Sequence, residues 1–193
     1  MSNYEKVYKL AVDGQNKVGK TCIVNQYLQG KFIRNYCPTL GFQVVIRHKK
    51  LSSHLYRVHL WDLSGSHREI TKNYYKDLDG LLLVYEVNKA SSFECLKSIL
   101  EEFRSVNPSE NIMVLGNLKS KNREVTFEEG YKLALEKNTS YLELNAKNTN
   151  DCKVAVQQFI TSSLLEEVPE KPNSMLQFTN FIGKAVGHNC CLK

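Results

Sequence analysis

Short apolar runs alternate with longer stretches in which apolar residues recur every three to four positions. Val7 to Val12 reads as a strand and Gly19 to Leu28 as the helix after it. Phe42 to Lys49 and Leu55 to Trp61 alternate in polarity and predict a hairpin. Gly80 to Val87 is almost wholly apolar, as expected of a strand buried on both faces. Phe93, Leu96, Ile99, Leu100 and Phe103 share a helical face, predicting a helix from Ser91 to Val106 with Ser91 or Ser92 as its cap. Ile112 to Leu115 is a further buried strand. Thr126 and Glu129 have capping-box spacing for a helix to Glu136. Tyr141 to Leu144 is a short strand, and Asp151 is placed to cap a last helix to Leu165. Periodicity then fails at Pro169 and Pro172. Strands alternating with helices in this way predict an α/β domain with a mostly parallel sheet.

The chemistry is concentrated after the first strand. Gly14-Gln15-Asn16-Lys17-Val18-Gly19-Lys20-Thr21 fits G-x-x-x-x-G-K-[ST] in full and lies between a predicted strand and a predicted helix. Its glycines let backbone N–H groups turn inward around phosphate oxygens, beside the positive end of a helix. Lys20 is expected on the β- and γ-phosphates and the Thr21 hydroxyl on Mg²⁺. Asp62-Leu63-Ser64-Gly65 closes a later strand. Asp62 there is a second Mg²⁺ candidate, and Gly65 is expected to offer its N–H to a γ-phosphate. Pro38-Thr39-Leu40-Gly41 lies between, where a mobile loop is expected to bring Thr39 onto the metal.

The order of these motifs resembles the Ras superfamily, and within it the Rab branch. The residues that carry the likeness are the P-loop, Phe32-x-x-x-Tyr36-x-Pro38-Thr39-Leu40-Gly41-Phe42, and Trp61-Asp62-x-x-Gly65. Tyr74 to Gly80, Leu83 to Val87, Ser92 to Leu96, Arg123 to Val125, Glu128 to Gly130 and Glu143 to Lys147 extend it, so that it spans residues 5 to 165. The resemblance implies a P-loop small-GTPase fold: a six-stranded, mostly parallel sheet flanked by five helices, binding GDP or GTP with Mg²⁺. It implies switch loops near Lys31 to Phe42 and Leu63 to Asn73, read by effector, exchange-factor and activating proteins. It places Lys20, Thr39 and Gly65 at the reacting phosphate, and Cys22, Asn117, Lys119, Ala146 and Lys147 around the rest of the nucleotide.

Three departures qualify the likeness. Where the family reads guanine with Asn-Lys-x-Asp, this chain has Asn117-Leu118-Lys119-Ser120. The missing aspartate would accept two charge-assisted hydrogen bonds of roughly 1.5–3 kcal/mol each, so at least about 2 kcal/mol of guanine affinity is expected to go. After Gly65 the family has a glutamine that orients the attacking water. Here Ser66 is too short for that role, and His67 follows. The stretch from Gly65 to Tyr74 is also about two residues shorter than the pattern. Asn16 and Lys17 replace small residues in the P-loop.

Composition adds limits. At 193 residues, with 42% hydrophobic and 24% charged, the chain suits one soluble domain. The net charge of +6 suits a phosphate ligand or an anionic membrane. Arg47-His48-Lys49-Lys50 has no interleaved aromatics and reads as a solvated strand end, so no nucleic-acid partner is expected. The polar start Met1 to Lys6 predicts no signal peptide. Cys22, Cys37, Cys95 and Cys152 lack metal-ligand spacing and read as small buried hydrophobes. Residues 1–166 are thus expected to form the nucleotide-binding domain and 167–193 a flexible tail. The ending Cys190-Cys191-Leu192-Lys193 resembles the doubly geranylgeranylated ends of Rab proteins, which hold them on the cytosolic face of endomembranes. The tail's lysines are balanced by Glu166, Glu167 and Glu170, so it offers no polybasic reinforcement.

The expected function is a Rab-like GTP switch in vesicle trafficking, slow in hydrolysis and weakened in guanine selectivity. The competing expectation is a non-catalytic, prenylated interaction module. Ser66 and Ser120 favour that alternative; the intact Lys20, Thr21, Thr39 and Asp62 oppose it. A small P-loop kinase is the third possibility, without an arginine-bearing lid to support it.

Overall fold

The computed structural model describes residues 6–32, 39–51, 54–66 and 68–165, with the side chains of residues 68–71 outside the description. The elements are β1 (Val7–Asp13), α1 (Lys20–Gln29), β2 (Phe42–Leu51), β3 (His54–Leu63), α2 (Arg68–Tyr75), β4 (Gly80–Glu86), α3 (Ala90–Arg104), β5 (Ile112–Asn117), α4 (Phe127–Glu136), β6 (Ser140–Leu144) and α5 (Thr149–Leu165). They build a six-stranded sheet in the order β2-β3-β1-β4-β5-β6. Only the β2–β3 hairpin pairs antiparallel; β1 pairs parallel with both β3 and β4, and β4–β5–β6 continue in parallel. The expected architecture is therefore the observed one.

Period-two alternation sends neighbouring residues of each strand to opposite faces. Tyr8, Leu10 and Val12 of β1, with Leu82 and Val84 of β4, pack under Ile23 and Val24 of α1 and Val156, Phe159 and Ile160 of α5. Ala11, Leu81, Leu83 and Tyr85 face the other way, under Leu96, Ile99 and Phe103 of α3 and Leu133 of α4. Sandwiching explains the unbroken apolar run of β4, whose first six residues are buried. The basic stretch of β2 behaves as expected: Arg47, His48 and Lys50 are exposed. Lysine on an edge strand also discourages pairing with another sheet.

Helix starts differ from expectation in an instructive way. Thr126 does form a reciprocal capping box with Glu129. Neither Ser91 nor Ser92 caps α3. Its N-cap is Lys89, without a side-chain bond, and the Ala90 N–H donates to Glu124 Oε2 at 2.8 Å. Ser92 is buried instead, accepting from the Glu86 N–H at 2.9 Å and donating to the Lys89 carbonyl at 2.7 Å. At α5, Asn148 Oδ1 accepts the N–H groups of Asn150 and Asp151, displacing Asp151 from the capping role. The segment read as a second switch loop is helical from Arg68 to Tyr75. Of the cysteines, Cys152 is buried but Cys22 and Cys95 are only half-buried; Cys37 lies outside the described residues.

Candidate functional site

In an open α/β sheet the carboxyl ends of the central strands, where connections leave toward opposite faces, form a crevice. Here β1 lies between β3 and β4, and the crevice is a cleft of about 370 Å³ lined in part by Lys20, Thr21, Thr39, Gly65 and Lys119. The loop from β1 to α1 turns because Gly14, Lys17 and Gly19 take positive φ, at 146°, 67° and 111°. Lys17 carries a Cβ into the left-handed region, which costs roughly 1–2 kcal/mol. Lys20 is 6% exposed, and its ammonium donates to the carbonyls of Gly14 at 2.8 Å and Gln15 at 3.0 Å. Val18 turns its side chain into the core.

Three oxygen-bearing side chains meet beside Lys20. The Thr21 and Thr39 hydroxyls are 3.0 Å apart. Asp62, fully buried, has neither carboxylate oxygen in hydrogen-bond geometry with any described residue. Burial pushes its pKa up to about 6, against the pull of the neighbouring Thr21 hydroxyl and the Lys20 ammonium. A buried acid whose oxygens make no hydrogen bond of good geometry, next to two hydroxyls, is a hard oxygen donor set of the kind that suits Mg²⁺. Gly65 is seated directly on the P-loop: a Cβ there would lie 2.6 Å from the Asn16 nitrogen. Ser66 Oγ accepts from Asn16 Nδ2 at 3.0 Å. His67 and the cysteine pair Cys190 and Cys191 lie outside the described residues.

The opposite end of the loop is tied to β5 and β6. Asn117 Nδ2 donates to the Val18 carbonyl at 2.8 Å, and its Oδ1 accepts from the Ala146 N–H at 3.1 Å. Gln26 of α1 donates to the carbonyls of Ala146 and Lys147 at 3.1 and 3.2 Å. Leu118 packs into the second core. Lys119 lines the cleft, where its ammonium bonds to the Lys17 carbonyl and, at 2.7 Å, to Glu86 Oε2. A lysine two positions after Asn117 thus spans from β5 to the P-loop although leucine holds the position between. Ser120 sits on a loop that Asn88 pins, its amide oxygen accepting from the N–H groups of Lys119 and Ser120 at 2.9 and 3.1 Å.

Asn88, Gln26 and Asp13 are not marked in the sequence, because isolated polar residues carry no periodic signal. Asp13 ends β1 fully buried. Its Oδ1 accepts the Gly14 N–H at 2.6 Å, and its Oδ2 accepts the Tyr75 hydroxyl. Helix α2 is thereby fastened to the residue that precedes the P-loop. Tyr75→Phe keeps the ring packed on Phe103, 5.3 Å away, and removes only the donor. It is expected to cost about 2 kcal/mol in urea unfolding, since a buried carboxylate loses a hydrogen bond. A change below the error of that measurement would mean the hydroxyl contributes nothing.

Comparison with known proteins bears on the same residues. The sequence matches the Ras family over residues 9–165. It is similar to the Ras-related protein RabC of Dictyostelium discoideum, 33% identical over 153 residues that cover 76% of this chain and 78% of that protein. It is likewise similar to the Ras-related protein Rab-8B of Homo sapiens and of Pongo abelii, 30% identical over 185 residues covering 93% of this chain and 87% of either. A parallel sheet with its P-loop at the central crevice, and a family match spanning that whole domain, place this chain in the Ras family, as a Rab-like small GTPase.

Proposed function

We propose that the protein is a GTP-binding switch of vesicle trafficking whose intrinsic hydrolysis is slow and whose preference for guanine is weakened. The observation that carries this reading is Asp62: a buried carboxylate with unpartnered oxygens is costly, and a cation held with the Thr21 and Thr39 hydroxyls relieves it. An interaction module that binds no nucleotide has no use for that arrangement. Thr21, Thr39 and Asp62 would hold Mg²⁺, which would supply neutralisation of charge on the phosphates. Lys20 is placed to exchange its loop carbonyls for phosphate oxygens, and the Gly65 N–H lies at the terminal-phosphate end. Gly14, Gln15, Asn16, Lys17, Val18 and Gly19 supply the backbone cradle, while Cys22, Asn117, Lys119, Ala146 and Lys147 bound the remainder of the nucleotide.

Slow hydrolysis follows from Ser66, whose hydroxyl cannot replace the longer glutamine amide as a guide for water. An activating protein that supplies its own glutamine would overcome this. Effectors would read the surface around Phe42, Trp61 and Tyr74, whose rings cluster at 4.8–5.9 Å. Among the described residues no helix is long and apolar enough to cross a membrane. Attachment to the cytosolic face of endomembranes would come from prenyl groups on Cys190 and Cys191, at the end of the 167–193 tail that follows the 1–166 domain.

Purifying the protein with Mg²⁺ and identifying released nucleotide by chromatography tests the reading. Stoichiometric GDP or GTP supports it, and an empty pocket sinks it. The guanine argument has its own test. Because Asn88 fixes the backbone at Ser120, Ser120→Asp is expected to tighten GDP by about 30-fold, the equivalent of about 2 kcal/mol, and to leave ADP unmoved in parallel titrations. Equal gains for both bases would show that residue 120 does not read the base.

A further inference from the structure

Asn16 and Ser66 stand at two of the positions where this chain departs from its family. One replaces a small P-loop residue and the other the glutamine after Gly65. They are 50 positions apart in sequence, yet Asn16 Nδ2 donates to Ser66 Oγ at 3.0 Å. A small apolar residue at position 16 has no side-chain donor, so the contact depends on the asparagine. It also depends on where the following turn lies. The serine hydroxyl is short and reaches the amide only while Gly65 is seated on the loop. That seat is close: a Cβ on Gly65 would stand 2.6 Å from the Asn16 nitrogen and 2.8 Å from both the Gln15 carbonyl carbon and the Gly14 oxygen. The Ser66 N–H in turn donates to Ser64 Oγ at 3.3 Å, folding the turn on itself.

We propose that Asn16 and Ser66 are a positioning pair that holds the Gly65 turn on the P-loop through a side-chain contact independent of phosphate, and so raises the affinity for nucleoside triphosphate relative to diphosphate. The proposal rests on the reading of this loop as a phosphate site. A terminal phosphate gains the Gly65 N–H only in molecules whose turn is seated, so its apparent affinity scales with the seated fraction. A diphosphate does not extend to Gly65 and is indifferent to that fraction. Here a neutral side-chain hydrogen bond raises the seated fraction.

The test is to titrate GDP and a slowly hydrolysed GTP analogue, each with Mg²⁺, into the parent, Asn16→Ala, Ser66→Ala, the double variant and Ser66→Thr. Either alanine is expected to lower the triphosphate-to-diphosphate affinity ratio about three- to ten-fold, the range for one hydrogen bond. The double variant should fall no further than the singles, since both break the same contact. Ser66→Thr keeps the hydroxyl and should keep the ratio. A ratio unmoved by either alanine, losses that multiply in the double variant, or a threonine that behaves like alanine would overturn the pair while leaving the phosphate site standing. A parent that binds neither nucleotide would overturn the site and the pair together.

Discussion

Gly14→Ala is expected to abolish stable folding of the domain, with a loss of at least about 4 kcal/mol. Two independent effects add at this position. Gly14 has φ of 146°, a conformation that residues with a Cβ rarely adopt. A Cβ built there would also lie 2.0 Å from the Val84 carbonyl oxygen. That carbonyl belongs to the buried centre of β4, where Val84 stands opposite Leu115 in the ladder with β5. Neither can retreat without breaking the middle of the sheet. Gly41→Ala is the control, because Gly41 also has a positive φ, at 72°, but no atom within 4 Å of the added Cβ. It should cost only the backbone strain of roughly 1–2 kcal/mol. Urea unfolding of both variants separates strain from collision. A Gly14→Ala protein within about 1 kcal/mol of the parent would mean that the P-loop can move off β4 freely.

Asp62→Asn should have opposite effects on stability and on function. In the unfolded chain this carboxyl ionises near its ordinary value of 3.8, while in the folded, metal-free protein it keeps its proton up to about 6. Between those values the folded form holds more protons than the unfolded one, so stability falls as pH rises. The full penalty, about 3 kcal/mol, is present above pH 6 and absent below about pH 4. Asparagine does not titrate, though its buried amide has an unfavourable cost of its own. The variant should therefore be about 1 kcal/mol more stable than the parent at neutral pH without metal, and no more stable near pH 4. Its nucleotide retention, by contrast, should lose roughly 1.5–3 kcal/mol of dependence on Mg²⁺. Melting in chelator across that pH range, with nucleotide release measured with and without Mg²⁺, covers both halves. An Asp62→Asn protein less stable than the parent at pH 7 would show that the carboxylate is already paired, and the metal assignment would fall with it.

Gly14 and Asp62 depend on different levels of the molecule. That Gly14 opens a phosphate loop was legible from its spacing to Lys20 between a strand and a helix. That it cannot accept a methyl group was not, because the obstacle is a backbone carbonyl from β4. Asp62 is legible in Asp-x-x-Gly, but the burial that leaves its oxygens without a hydrogen bond depends on the packing of β1 and β3 around it. The missing guanine-reading aspartate was visible as Ser120. The bond from Lys119 to a P-loop carbonyl 102 positions away is not legible, since it depends on where the sheet delivers the end of β5.

The α/β class, the strands, nearly every helix, the P-loop and the family are legible in local sequence. Each of these rests on local regularities: alternation of period two, helical spacing, and glycines at fixed offsets, all set by backbone geometry that any chain must obey. Which residue caps which helix, and which departures meet, depends on long-range packing. Glu124 serves the start of α3 from 34 positions away, Tyr75 fastens α2 to Asp13 from 62, and Asn16 finds Ser66 across 50. Such contacts join side chains to one another or to backbone N–H groups at the ends of elements, where no repeat precedes them. A hydrogen bond has a reach of about 3 Å, so whether one forms is fixed by where the sheet delivers each loop and by nothing in the local sequence.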